Sequence, residues 1–304
     1  MINLFHIPNY AVDTAQFTHI LHGDIVDKFT ENFCKYVGVQ YGCPVNSATS
    51  AIFLISLYNQ GLKFSIPTMI PPVVLNAVKN SKSDYELIDD TLWVGGPYIM
   101  YSSKSGDIID SAQEVKRVNL REDDIIIYSF YPTKPVGSCD GGMICSNNKE
   151  IIDFYKLASN NGMEYSSNSW EQEVQFAGWK MYMNSVQAYI ANENLKRLDD
   201  KKAKLRQVRD IYNSEFGYSN TSEHLYRINV KDNQEFVKYM KSNYVVCGIH
   251  YKCTHTNPVY GNGERLPNSE HAETTVISIP YHEKLTEKEI LWIVKCVKLS
   301  GMMV

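Results

Sequence analysis

The residue best placed for covalent chemistry is Lys134, which ends the stretch Ile125-Ile126-Ile127-Tyr128-Ser129-Phe130-Tyr131-Pro132-Thr133-Lys134. The isoleucine run reads as a short buried strand, and Pro132 marks where it must stop. Gly141-Gly142 and a second apolar run, Met143-Ile144-Cys145, follow. Open α/β sheets bind ligands beyond the carboxyl ends of their strands. An amine there, with the Ser129 hydroxyl and two glycines close by, can form a Schiff base with an aldehyde cofactor. A lysine after a strand is otherwise an ordinary solvated residue, so its company decides.

Two other stretches supply that company. Asp107-Ile108-Ile109-Asp110-Ser111-Ala112-Gln113-Glu114 is a short apolar pair ending in a carboxylate, followed by residues compatible with a brief helix. Asp110 either caps that helix or pairs with a cationic ring nitrogen. Both readings place it near Lys134, because successive strands of a parallel sheet deliver their ends to one rim. Asn46-Ser47-Ala48-Thr49-Ser50 leads into the apolar run 51–57. Its hydroxyls either cap a helix or join free backbone N–H groups in holding a phosphate.

These groups need a scaffold. Apolar spacing predicts a helix over 24–37, stopped at Gly38, and a loop turning into a helix between Ile66-Pro67 and Asn76-Ala77. A strand is expected at 85–89, and a helix after Glu150 that Asn160-Asn161-Gly162 breaks. Residues 183–212 read as one long helix whose charged run, 196–206, is a solvated face. Strands at 224–230, 245–251 and 274–279, with helices at 233–243 and 287–299, suggest a small α+β unit. The expected division is therefore 1–195 and 196–304.

The chain of 304 residues is long enough for such an arrangement, and 44% hydrophobic with 21% charged residues is an ordinary globular balance. A net charge of -4 gives no electrostatic reason to expect nucleic acid or an anionic membrane as partner. No apolar run approaches the roughly 20 residues that span a bilayer. The N-terminus lacks the basic start and cleavage site of a signal peptide. Seven scattered cysteines without Cys-x-x-Cys spacing argue against a metal site or disulfide framework and fit reduced thiols in the cytoplasm.

Asn46 to Ala51, Asp110-Ser111-Ala112-Gln113, and Ser129-Phe130-Tyr131-Pro132-Thr133-Lys134 with Gly141-Gly142 stand in one order that resembles the DegT-type sugar-nucleotide aminotransferases. The likeness extends to His250-Tyr251, His255 and Ser278-Ile279-Pro280. It implies the pyridoxal-phosphate transferase fold, an α/β domain with a mostly parallel sheet plus a small C-terminal α+β domain. It also implies transfer of an amino group, with glutamate as expected donor, to a nucleotide-linked keto-sugar. Lys134 would bind pyridoxal phosphate covalently and shuttle protons. Asp110 would hold the ring nitrogen, and Gln113 would lie by the ring and its hydroxyl. Ala48 and Thr49, helped by Ser129, would hold the phosphate. His250, Tyr251 and His255 are weaker candidates for substrate contact. The family's homodimers share active sites, and Lys180 falls where a partner asparagine is expected.

The departures are Pro71 in place of the usual aromatic residue over the ring, Pro135 after the lysine, and a short segment between Asp89 and Ile108. That shortening favours a non-catalytic, ligand- or partner-binding homologue as the rival reading. A sugar dehydratase of the same family is disfavoured by Lys134, since those enzymes replace it.

Overall fold

The computed structural model describes residues 1–166 and 169–304. The large unit begins with α1 (Asp24–Val37), β1 (Tyr41–Val45), α2 (Ala48–Tyr58), β2 (Lys63–Pro67), α3 (Pro72–Asn80) and β3 (Asp84–Ile88). It continues with β4 (Tyr98–Ser102), β5 (Asp107–Asp110), β6 (Ile125–Ser129), β7 (Gly142–Ser146), α4 (Lys149–Ser159) and α5 (Ser185–Lys196). Then α6 (Leu198–Phe216) leads to β8 (Tyr226–Asn229), α7 (Asn233–Ser242), α8 (Pro267–Thr275), β9 (Val276–Ile279) and α9 (Glu287–Leu299).

The apolar alternation of β6 sets the layering. Ile125 and Ile127 pack with Ile52, Leu54 and Ile55 of α2 on one face. Ile126 and Tyr128 pack with Phe29 and Phe33 of α1 and with α5 on the other. A strand covered on both faces reads as a continuous apolar run, which is what the isoleucines record. Each such side chain contributes about 1.5–3 kcal/mol of burial. A separate core of α6, α7, α9 and the β8–β9 ribbon forms the C-terminal unit, and the change of core falls within α6, between Leu198 and Leu205.

Strand order in the main sheet is β1-β7-β6-β5-β4, with β2 and β3 as a separate parallel pair. β5 is parallel to β6, whereas β7 is antiparallel to both β6 and β1. The carboxyl ends of β1, β5 and β6 therefore share one rim, although the sheet as a whole is mixed. The short segment after Asp89 is compensated locally. β4 turns back into β5 as an antiparallel hairpin, with Tyr98 opposite Asp110 and Ser102 opposite Asp107. A parallel neighbour would need a crossover of a dozen or more residues, and the chain has none to spare here.

Several sequence-based expectations change. Residues 183–212 form two helices, because Arg197 leaves helical geometry at φ -104°, ψ 2° and its N–H closes on Asn194 and Leu195 carbonyls. No helix follows Asp110. Its Oδ1 accepts the Ala112 N–H at 2.8 Å and Ser111 Oγ donates to the Glu114 carbonyl at 2.8 Å, local bonds that compete with helical ones. Residues 245–251 make only isolated bridges, Val245 to Ile2 and Gly248 to Ser278. By contrast α1 and α9 occupy the expected spans, helped by the left-handed Gly38 cap of α1 at φ 80° and the Thr286–Glu289 capping box of α9.

Gly142 is where β7 meets the start of α2. A Cβ there would lie 2.6 Å from the Ala48 nitrogen and 2.8 Å from the Ser47 carbonyl carbon, both backbone atoms. Gly142→Ala must push strand and helix apart, and is expected to destabilise the chain by roughly 1–3 kcal/mol. Urea unfolding checks this; an unchanged midpoint would show that the contact relaxes freely.

Candidate active site

Four elements deliver groups to the common rim. Ser47 caps α2, its Oγ accepting the Ser50 N–H at 3.1 Å. Asn46 Oδ1 in turn accepts the Ser50 hydroxyl at 2.7 Å. The Ala48 and Thr49 amides are left without an acceptor among the described residues, as expected for the first turn of a helix. Ser129 ends β6 directly opposite Gly142, which itself touches the Ala48 nitrogen. Two amides, a hydroxyl and a close backbone approach thus surround one place suited to a phosphate.

Asp110 ends β5, register partner of Ile127 in β6, and only 4% of it is exposed. Burial pushes its carboxyl up, while the Ala112 N–H, the Lys134 ammonium and the Tyr98 hydroxyl pull it down. Tyr98 is near enough to influence that charge, yet its hydroxyl has no partner in hydrogen-bonding geometry among the described residues. Gln113 is buried, and its Oε1 accepts the Gly95 N–H at 2.9 Å.

Lys134 sits in the turn after β6, its N–H bonded to the Tyr131 carbonyl at 2.8 Å. The residue as a whole is half-buried, but desolvation of its amine dominates and lowers its pKa to about 8, with Asp110 opposing. The loop carrying it is held from behind: Lys201 of α6 donates to the Lys134 and Pro135 carbonyls at 3.3 and 3.0 Å. Burial, Lys134 and Arg227 together push His250 down to about 4. His224, buried next to it, is pushed well below its usual range by burial and by Lys134. Both rings are therefore neutral near pH 7, and the buried positive charge is left to the lysines and Arg227.

Of the expected residues, Ala48, Thr49, Asp110, Ser129 and Lys134 come together, with Gln113 alongside. Tyr251 is near them: burial raises its pKa, and the Asp110 charge adds to the rise. His250 joins through its effect from Lys134, its Nδ1 bonded to Ser278 Oγ at 2.9 Å. His255 is occupied elsewhere: its Nδ1 is 2.7 Å from Thr68 Oγ1 and its Nε2 3.3 Å from Glu270. Pro71 lies at the start of α3, on a loop tied to Cys253 and Thr254. Lys180 is exposed, bridged to Asn160 and acting on His22, and among the described residues none of its contacts reach Lys134. Tyr98, Trp93, His224 and Arg227 were not legible beforehand, since long-range packing alone brings them here.

A cavity of about 1030 Å³ beside Asp89 to Leu92 and the β8–β9 ribbon holds none of the rim groups, so chemistry rather than volume marks the site. Among the described residues no cluster of His, Cys, Asp and Glu could hold a metal ion, and no helix is long and apolar enough to cross a membrane.

The sequence model described as the DegT/DnrJ/EryC1/StrS aminotransferase family matches residues 6–78 and 111–298. A Campylobacter jejuni UDP-4-amino-4,6-dideoxy-N-acetyl-beta-L-altrosamine transaminase is 25% identical, with 88% of this chain and 87% of that protein aligned. Among solved structures, the aminotransferase TlmJ of Streptoalloteichus hindustanus superposes with a TM-score of 0.83 at 18% identity, covering 99% of both chains. The PLP-form of the sugar aminotransferase Spr1654 of Streptococcus pneumoniae superposes with a TM-score of 0.82 at 17% identity, covering 97% of each. The unmatched residues 79–110 contain the β4 hairpin.

The lowered pKa of Lys134 has a consequence for stability. Below pH 8 the folded chain keeps a buried ammonium, and its cost is full. From about 8 to the ordinary value of 10.5, the folded chain has released a proton that the unfolded chain retains. Stability attributable to this group therefore rises with pH across that window. The wild type should gain on the order of 1–3 kcal/mol relative to Lys134→Met between pH 8 and 10.5. Parallel denaturant titrations check it; a pH-independent difference would mean that burial does not act on the amine.

Proposed function

We propose a reaction on one premise: this chain belongs to the DegT/DnrJ/EryC1/StrS aminotransferase family. The reading is a pyridoxal-phosphate-dependent aminotransferase that moves an amino group, from glutamate, to a nucleotide-linked keto-deoxysugar. What carries it is the convergence of Lys134, Asp110, Ser129 and the free amides of α2 at one rim of the sheet. The UDP-linked aminosugar named for the Campylobacter jejuni relative supports the substrate class.

The residues present fit the cofactor. The Ala48 and Thr49 amides and the Ser129 hydroxyl would take its phosphate, and the missing Cβ at Gly142 keeps that cradle open. Asp110, buried and with its carboxyl pushed up, lacks a full counter-charge that a protonated ring nitrogen would supply. Gln113 would flank the ring. Lys134 would hold the cofactor covalently. When bound, pyridoxal phosphate supplies the electron sink that acidifies the substrate carbon.

The protein's own part is proton handling. Lys134, with a pKa of about 8, can take a proton from the substrate carbon and return it near neutral pH. Asp110 would stay ionised against a cationic ring nitrogen and would favour its protonated form. Neutral His250 and His224 add no competing positive charge beside the amine. Lys180, exposed in the single chain, would serve the second site of a homodimer.

The test is an absorption spectrum of the purified protein with pyridoxal phosphate, beside Lys134→Ala. A visible band that requires Lys134 and bleaches with L-glutamate is expected, with at least ~10³-fold less turnover in the variant. No band at excess cofactor would refute the catalytic reading and favour the binding homologue.

A further inference from the structure

The unmatched segment and the C-terminal unit meet beside the site, and two buried donors there, Trp93 Nε1 and Arg227 Nη1, have no partner among the described residues, while the Tyr98 hydroxyl lies by the Asp110 carboxylate. They are joined by contact. Trp93 meets Tyr98 edge-on at 4.9 Å and stacks on Tyr251 at 6.2 Å and 14°. Tyr98 is the register partner of Asp110, and Arg227 that of Ser278, which holds His250.

The alternation of β8 explains how an arginine comes to lie here. Tyr226 and Ile228 face the C-terminal core, so Arg227 projects from the opposite face toward the large unit. Its Nη2 donates to the Thr91 carbonyl at 2.8 Å, which fixes the plane of the guanidinium and leaves Nη1 unused. Asp90 influences the group without forming an ion pair with it, and burial lowers its pKa to about 10. Tyr251, stacked on Trp93, feels the charges of both Asp110 and Arg227. A cavity of about 660 Å³ lined by Trp93, Gly95, Gly96, Ser222 and Arg227 opens on that arginine and holds none of the rim groups.

A buried guanidinium with an unmade bond costs free energy, and a planar fork is suited to an oxyanion. We propose that Arg227 is the oxyanion anchor of the substrate site, beside Tyr251 and backed by Trp93 and, from the hairpin, Tyr98. The anion is one carried by a substrate of the aminotransferase reading, on which this inference rests: the carboxylate of the amino donor or the phosphate of the nucleotide-linked acceptor. The shortened segment then makes a wall of the site rather than a gap in it.

The experiment compares wild type, Arg227→Met and Arg227→Lys in two assays. One follows single-turnover bleaching of the cofactor band by L-glutamate. The other, which needs no turnover, follows the thermal shift produced by 2-oxoglutarate and, separately, by UDP. Arg227→Met should bind one of these ligands roughly ten- to hundred-fold more weakly, and Arg227→Lys should recover part of the loss. Loss confined to 2-oxoglutarate, with slower bleaching, assigns the donor carboxylate; loss confined to UDP, with bleaching intact, assigns the phosphate. Equal binding of both ligands by folded Arg227→Met overturns the proposal, as does a wild type that neither ligand stabilises. Failure of both variants to fold also overturns it, leaving Arg227 a purely structural contact. A wild type that shifts with a ligand in an Arg227-dependent way, yet never bleaches, instead removes the aminotransferase reading and keeps the anion site.

Discussion

Burial of β6 on both faces is the constraint on which the site depends. Its isoleucines face α2 on one side and α1 on the other, so the strand cannot slide by one residue without exchanging its two apolar sets. The position of Ser129 follows, and with it the turn that carries Lys134. Pairing with β5 then sets Asp110, and pairing with β7 sets Gly142 against the start of α2. Ser129, Lys134, Asp110 and the start of α2 are thus located by one sheet.

Charge is arranged around that geometry in a consistent sense. Burial disfavours the charged forms of both Lys134 and Asp110, and each opposes the shift of the other. The result is an amine poised near 8 beside a buried carboxylate whose pKa is raised. Lys201 adds a mechanical element, because its two carbonyl contacts tie the lysine turn to α6, the helix in which one core gives way to the other.

The hairpin at β4 shows how a shortened chain can keep a sheet. A tight antiparallel return needs few residues, so Tyr98 comes to lie directly opposite Asp110. The rival reading of a non-catalytic homologue drew on that shortening. With the edge of the sheet completed and Asp110 in place, the shortening no longer argues against chemistry. It brings Trp93 and Tyr98 close to Asp110.

Local signals determined much of this protein in advance. Helical spacing with its caps specified α1 and α9, because those bonds are made within a few residues. Lys134, Asp110, Ser129 and the α2 start were legible because strand ends and helix starts have short-range signatures. Only the tertiary structure decided that β4 runs antiparallel, that 183–212 breaks at Arg197, and that His255 is spent on Thr68 and Glu270. It alone brought Trp93, Tyr98 and Arg227 together. The reason is physical: strand pairing and docking of the C-terminal unit join residues more than a hundred positions apart, and no local propensity encodes which of them will meet.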